Sequence, residues 1–105
     1  MEPDDEDCPP AAVPDGVPFR HLLIVNRKGL HARASAKFVQ AVERHEAVVT
    51  VTRCGETVGG RSIMGLLTLG AAKGTTITVT AEGPDAEASL ADIAALVAGR
   101  FGEEE

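Results

Sequence analysis

"FRHLLIVNRKGLHARASAKFVQAV", residues 19–42, changes its period halfway along. Phe19 to Val25 is a short apolar run with a polar start, closed by Asn26-Arg27-Lys28-Gly29, and its length argues for a strand. From His31 onward Ala34, Phe38, Val39 and Val42 recur at helical spacing, leaving Lys37, Gln40, Glu43 and Arg44 for solvent. That is an amphipathic helix. A strand handing over to a helix through a glycine turn begins a mixed fold, and the remaining elements decide which one.

Further along, "AVVTVTRCGETVGG" (residues 47–60) is rich in β-branched side chains around a Cys54-Gly55 turn and reads as a hairpin ending at Gly59-Gly60. "SIMGLLTLG" (62–70) starts on a capping serine and closes on Gly70, the size of a two-turn helix. "TTITVTAEG" (75–83) alternates Thr with Ile and Val, as a strand with one buried face does. "PDAEASLADIAALVAGRF" opens on Pro84 and acids, buries Leu90, Ile93, Leu96 and Val97, and predicts a helix to about Arg100. The order β-α-β-β-α-β-α lacks long buried strands. It suits an α+β fold, an antiparallel sheet with all helices on one side.

Charge divides the chain into three parts. Residues 1–17 hold six acids and no Lys or Arg, together with four of the six prolines, and read as a disordered acidic extension. Residues 18–102 form the domain, with ten basic residues against seven acidic, and Glu103, Glu104 and Glu105 make an acidic C-terminal tail. The domain is mildly basic, most of all near Arg27, Lys28, Arg33 and Lys37, and because the excess is small and local it favours acidic partners over nucleic acid. Three Phe and no Trp or Tyr leave few platforms for stacking bases, so no nucleic acid is expected. Membrane insertion is not expected either, since no apolar run approaches the roughly 18 residues of a span. The start of the chain is the opposite of a signal peptide, which points to a cytoplasmic protein. There Cys8 and Cys54 are expected as two reduced thiols. His21, His31, His45 and Cys54 have no metal-ligand spacing, so neither metal nor cofactor is expected, and His21 and His45 read as structural.

The chemistry concentrates at the helix start. Gly29 permits a turn that a Cβ would hinder, and Leu30 can tuck beneath it. His31 then stands where several backbone N–H groups lack intrahelical partners, a ready site for phosphate. Arg33, two residues on, can fold back and grip the same anion through paired donors. The helix end and Arg33 both disfavour imidazolium, so the ring keeps a nucleophilic lone pair. A phosphoryl group captured there meets the donors that wait for it. Ser62 caps the second helix beside Arg61; Leu66 and Leu69 suffice for its core face, leaving Ile63, Met64 and Leu67 as an apolar patch suited to a protein partner.

"GLHARASAKFV" together with "GRSIMGLLTLGA" resembles the HPr phosphocarrier family of the bacterial phosphoenolpyruvate-dependent phosphotransferase system, over about residues 18–101. The resemblance implies an open-faced β-sandwich, a four-stranded antiparallel sheet with three helices on one face. It implies a carrier, not an enzyme, and a monomer. His31 would be phosphorylated on Nδ1 by enzyme I and pass the group to a histidine of a family IIA protein, with Arg33 stabilising the phosphate. Ser62 matches the serine modified in some bacteria by HPr kinase/phosphorylase, and Ile63, Met64 and Leu67 match the docking patch. Ala34 stands where many members have proline. "HARASAKF" resembles the nitrogen-related branch, which leaves sugar uptake and regulatory signalling both open as outputs. The rival reading is a regulatory binding module of the same fold that signals through Ser62 without phosphoryl transfer.

Overall fold

The computed structural model describes residues 8–105. Seven elements follow one another: β1 (Phe19–Leu23), α1 (Ala32–Glu43), β2 (Val48–Arg53), β3 (Glu56–Gly59), α2 (Ile63–Thr68), β4 (Thr76–Glu82) and α3 (Ala86–Ala98), followed by a short 3-10 turn at Arg100–Gly102. The strands form one antiparallel sheet in the order β1-β4-β2-β3, with the three helices on one face. This is the α+β open-faced sandwich expected.

The sheet's inner face is Val49 and Val51 of β2 with Ile77, Val79 and Ala81 of β4, all buried. Against it lie Ala34, Phe38 and Val42 of α1 and Leu90, Ile93 and Val97 of α3. Leu96, expected in the core, is only partly buried and packs on its edge. β1 stops two residues earlier than its apolar run. Ile24 still bonds the segment before β4, its amide donating to the Thr75 carbonyl at 2.9 Å and its carbonyl accepting from the Gly74 amide at 2.8 Å, and the pairing ends there, where Gly74 turns into the left-handed region at φ +91°. The hairpin between β2 and β3 turns at Cys54 and Gly55, both left-handed (φ 53° and 81°), the geometry of a tight two-residue turn. In α2, Leu66 and Leu69 are buried as their spacing predicts.

Two expectations are corrected. Cys8 and Cys54 are not separate thiols: they are joined in a disulfide with Cα atoms 5.2 Å apart. Residues 1–7 of the extension lie outside the described residues. The rest of it, residues 8–17, has no helix or strand but crosses the sheet's outer face. The Ala11 amide donates to Thr78 Oγ1 at 3.2 Å, and Thr78 is 2% exposed although it points away from the helices. A segment without periodicity offers no register from which to place its cysteine, so this return of the chain is invisible in the pattern. The second correction concerns Lys37. Its ammonium does not simply face solvent but donates to the Phe101 carbonyl at 2.7 Å.

Candidate functional site

The stretch before α1 is shaped by one glycine. Gly29 has φ +67°, and a Cβ there would run into the Ala71 carbonyl oxygen. That carbonyl accepts from the Leu30 amide at 2.9 Å, while Leu30 is buried beneath the turn. The buried Asn26 completes the clamp by donating to the Gly29 carbonyl at 2.8 Å. His31 emerges as the N-cap of α1 with extended backbone, and its carbonyl accepts the first intrahelical bond, from Ser35 N–H at 2.8 Å. The N–H groups of Ala32, Arg33 and Ala34 therefore precede the first helical bond and are oriented toward the space around the histidine. The His31 side chain makes no capping bond to the helix.

His31 lines a cleft with Arg27, Lys28, Ala32 and Arg33 on one side and Glu103, Glu104 and Glu105 on the other. Arg33 is exposed and forms no hydrogen bond or ion pair with the described residues, so its guanidinium can turn to an incoming anion. The acidic segment is the part that sequence reading missed. Glu103 Oε2 lies 2.5 Å from His31 Nε2, and the other carboxylate oxygen accepts from Asn26 Nδ2 at 3.1 Å. The Arg27 guanidinium pairs with Glu105 at 2.7 Å, with both side chains largely exposed, while the Arg27 amide donates to the Glu105 carbonyl. The Glu103 carboxyl is held below the usual carboxylate range, chiefly by the hydrogen bond from His31. Partial burial opposes this, and Asn26 and the charges of His31 and Lys28 add to it.

The chain reaches this position because it reverses after α3. Arg100 and Phe101 both adopt left-handed backbone (φ 59° and 54°), Phe101 is fully buried, and Lys37 holds its carbonyl. The only signal for the contact in the sequence is charge complementarity between three acids and the cations around His31, with no spacing to direct it.

The other histidines do structural work. His21 Nδ1 bonds Thr78 Oγ1 at 3.0 Å across β1 and β4. His45 Nε2 and Arg44 both reach Asp92, at 3.1 and 2.8 Å, tying the end of α1 to α3. At the second motif Ser62 caps α2, accepting from the Gly65 amide at 2.9 Å, and is exposed beside Arg61. Ile63 and Met64 are exposed to 40% and 70%, large values for apolar side chains, and Leu67 is half-buried beside them. No helix among the described residues is long and apolar enough to cross a membrane.

Comparison with known proteins places this arrangement in context. Residues 20–99 match the family model described as "PTS HPr component phosphorylation site". The chain is similar to the phosphocarrier protein HPr of Cupriavidus necator, 43% identical over 86 residues, covering 82% of this chain and 97% of the relative. It is also similar to the phosphocarrier protein HPr of Neisseria meningitidis serogroup A, 45% identical over 84 residues and covering 80% and 94%. Among solved structures, HPr-C-His from Thermoanaerobacter tengcongensis superimposes with a TM-score of 0.80 at 34% identity, covering 84% of this chain and 99% of that one.

Proposed function

Because the chain belongs to the HPr family of phosphocarrier proteins, which are carriers and not enzymes, we propose that His31 accepts a phosphoryl group from phosphorylated enzyme I and passes it to a histidine of a family IIA protein. The observation that carries this reading is the convergence at one cleft of an N-cap imidazole, the free N–H groups of a helix start, and the cations Arg27, Lys28 and Arg33. In the transfer, the Nδ1 lone pair attacks phosphorus and forms the new N–P bond. The bond to the donor breaks, and its electron pair leaves with the donor. The three phosphoryl oxygens, which share two negative charges, then meet backbone N–H groups and the guanidinium of Arg33, interactions absent before transfer.

Ile63, Met64 and Leu67 supply the apolar surface on which enzyme I and the IIA protein dock. Ser62, at the rim of that surface, is the regulatory site for an HPr kinase/phosphorylase. The working compartment is the cytoplasm and the working form a monomer.

The test is to incubate the protein with enzyme I and phosphoenolpyruvate and examine the product. Acid-labile, base-stable phosphate that disappears in His31→Ala is expected. Acid-stable phosphate alone, or full labelling of His31→Ala, contradicts the assignment.

A further inference from the structure

We propose that Glu103 is a positioning residue for phosphoryl transfer. Held by Asn26, its carboxylate keeps the hydrogen on His31 Nε2, presents the lone pair at Nδ1, and balances the charge that the ring gains as Nδ1 takes up phosphorus. The proposal rests on the carrier reading above.

Glu103 is not a loose end. On one side the chain leading to it is fixed by buried Phe101 and by the Lys37 bond to the Phe101 carbonyl. On the other, Asn26, fully buried, bonds both the Gly29 carbonyl and Glu103 Oε1. The turn that sets the position of His31 therefore also sets the position of the carboxylate. The two oxygens divide their work, Oε1 on the Asn26 amide and Oε2 on the imidazole. Glu103 and His31 are each about three-quarters buried (22% and 28% exposed), so water competes only in part.

An ionised carboxylate can only accept hydrogen bonds. Nε2 must therefore carry the hydrogen in this contact, and in the neutral ring Nδ1 is left with the lone pair. No described residue hydrogen-bonds His31 Nδ1, and the residue lines the cleft. When it attacks, the ring goes from neutral to cationic, with the new charge shared onto Nε2–H, 2.5 Å from Glu103. A carboxylate behind an imidazole orients the ring and stabilises its cationic form in catalytic triads by the same physics. In onward transfer the N–P bond breaks and its electron pair returns to Nδ1. The ring leaves as neutral imidazole with its Nε2 hydrogen in place, so no proton has to move in either direction.

The experiment uses Glu103→Gln and Glu103→Ala, with His31→Ala as reference. Nitrogen-15 NMR of the imidazole at neutral pH reads the tautomer, and single-turnover uptake from phosphorylated enzyme I reads the chemistry. The wild type should hold its hydrogen on Nε2. Glu103→Gln should keep that tautomer through its amide oxygen and lose part of the rate. Glu103→Ala should lose both, with uptake slowed about tenfold or more, as when a carboxylate partner of a working histidine is removed. Hydrogen on Nδ1 in the wild type, or wild-type uptake by both variants, overturns the role of Glu103 and leaves the carrier reading standing if His31→Ala is dead. Labelling of His31→Ala overturns both.

Discussion

His31 Nε2 and Glu103 Oε2 meet at 2.5 Å across 72 positions of sequence, so the candidate site draws on both the first helix start and the chain that follows the last helix. The histidine is placed by a glycine turn and the glutamate by a chain reversal, and Asn26 bonds the parts together. Arg27, Lys28 and Arg33 line the same cleft as the imidazole, while the Glu103 carboxylate meets it at Nε2.

That contact has a pH signature. The hydrogen bond from His31 is the chief cause of the depressed Glu103 carboxyl, against partial burial and with help from Asn26. A carboxyl lowered in the folded state stabilises the fold above its unfolded value, here 4.5, and loses that contribution as pH falls through the lower folded value. His31→Ala removes the chief cause. Its stability should therefore fall less than that of the wild type between about pH 5 and the acid transition. Asp92, lowered by Arg44 and His45 against its own burial, is common to both proteins and cancels. Superimposable acid limbs in chemical denaturation would show that the contact contributes nothing.

Arg33→Ala should fold normally, since the side chain is exposed, and should slow phosphoryl uptake by about tenfold or more. Arg33→Lys should also be impaired, because a point charge lacks the planar paired donors of guanidinium. Equal single-turnover rates for wild type and Arg33→Lys would mean that charge alone is needed.

The Cys8–Cys54 bond closes a loop of 46 positions and pins residues 8–17 to the hairpin. Loops of this size are typically stabilised by about 2–4 kcal/mol when cross-linked, which corresponds to about 10 °C or more in a domain this small. Reductant should lower the melting temperature of the oxidised protein by that order and leave Cys8→Ser unchanged. Identical melting with and without reductant would show that the bond does not form in solution.

Ser62→Asp should keep the fold, because aspartate also caps a helix and its charge lies at the favourable end of α2 near Arg61. Its effect should fall on association. A charge at the edge of exposed Ile63 and Met64 has to be desolvated when a partner docks, so affinity for enzyme I should drop several-fold. Unchanged affinity, or a loss that merely follows a lower melting temperature, would contradict this.

The elements were legible because their signals are local and periodic. Phe38, Val39 and Val42 mark the buried stripe of α1, and Ile77 and Val79 the inner face of β4. Gly29, His31, Arg33 and Ser62 were legible for the same reason, each being tied to a helix start a few residues away. Glu103 was not. Its place depends on left-handed backbone at Arg100 and Phe101, neither of them a glycine that would advertise the turn, and on the anchoring of Phe101 in a core assembled from distant elements. Asn26 reads as an ordinary turn residue until the carboxylate arrives beside it. Cys8 was hidden in the same way, since a coil segment is positioned by its attachments and not by a pattern of its own.

The most direct test of the central claim is phosphorus–nitrogen NMR of the protein after reaction with enzyme I and phosphoenolpyruvate, with histidine labelled by nitrogen-15. The account predicts one phosphoryl group, coupled to Nδ1 of His31, with the hydrogen still on Nε2 facing Glu103. Coupling to Nε2 of His31, or to a nitrogen of His21 or His45, would contradict it.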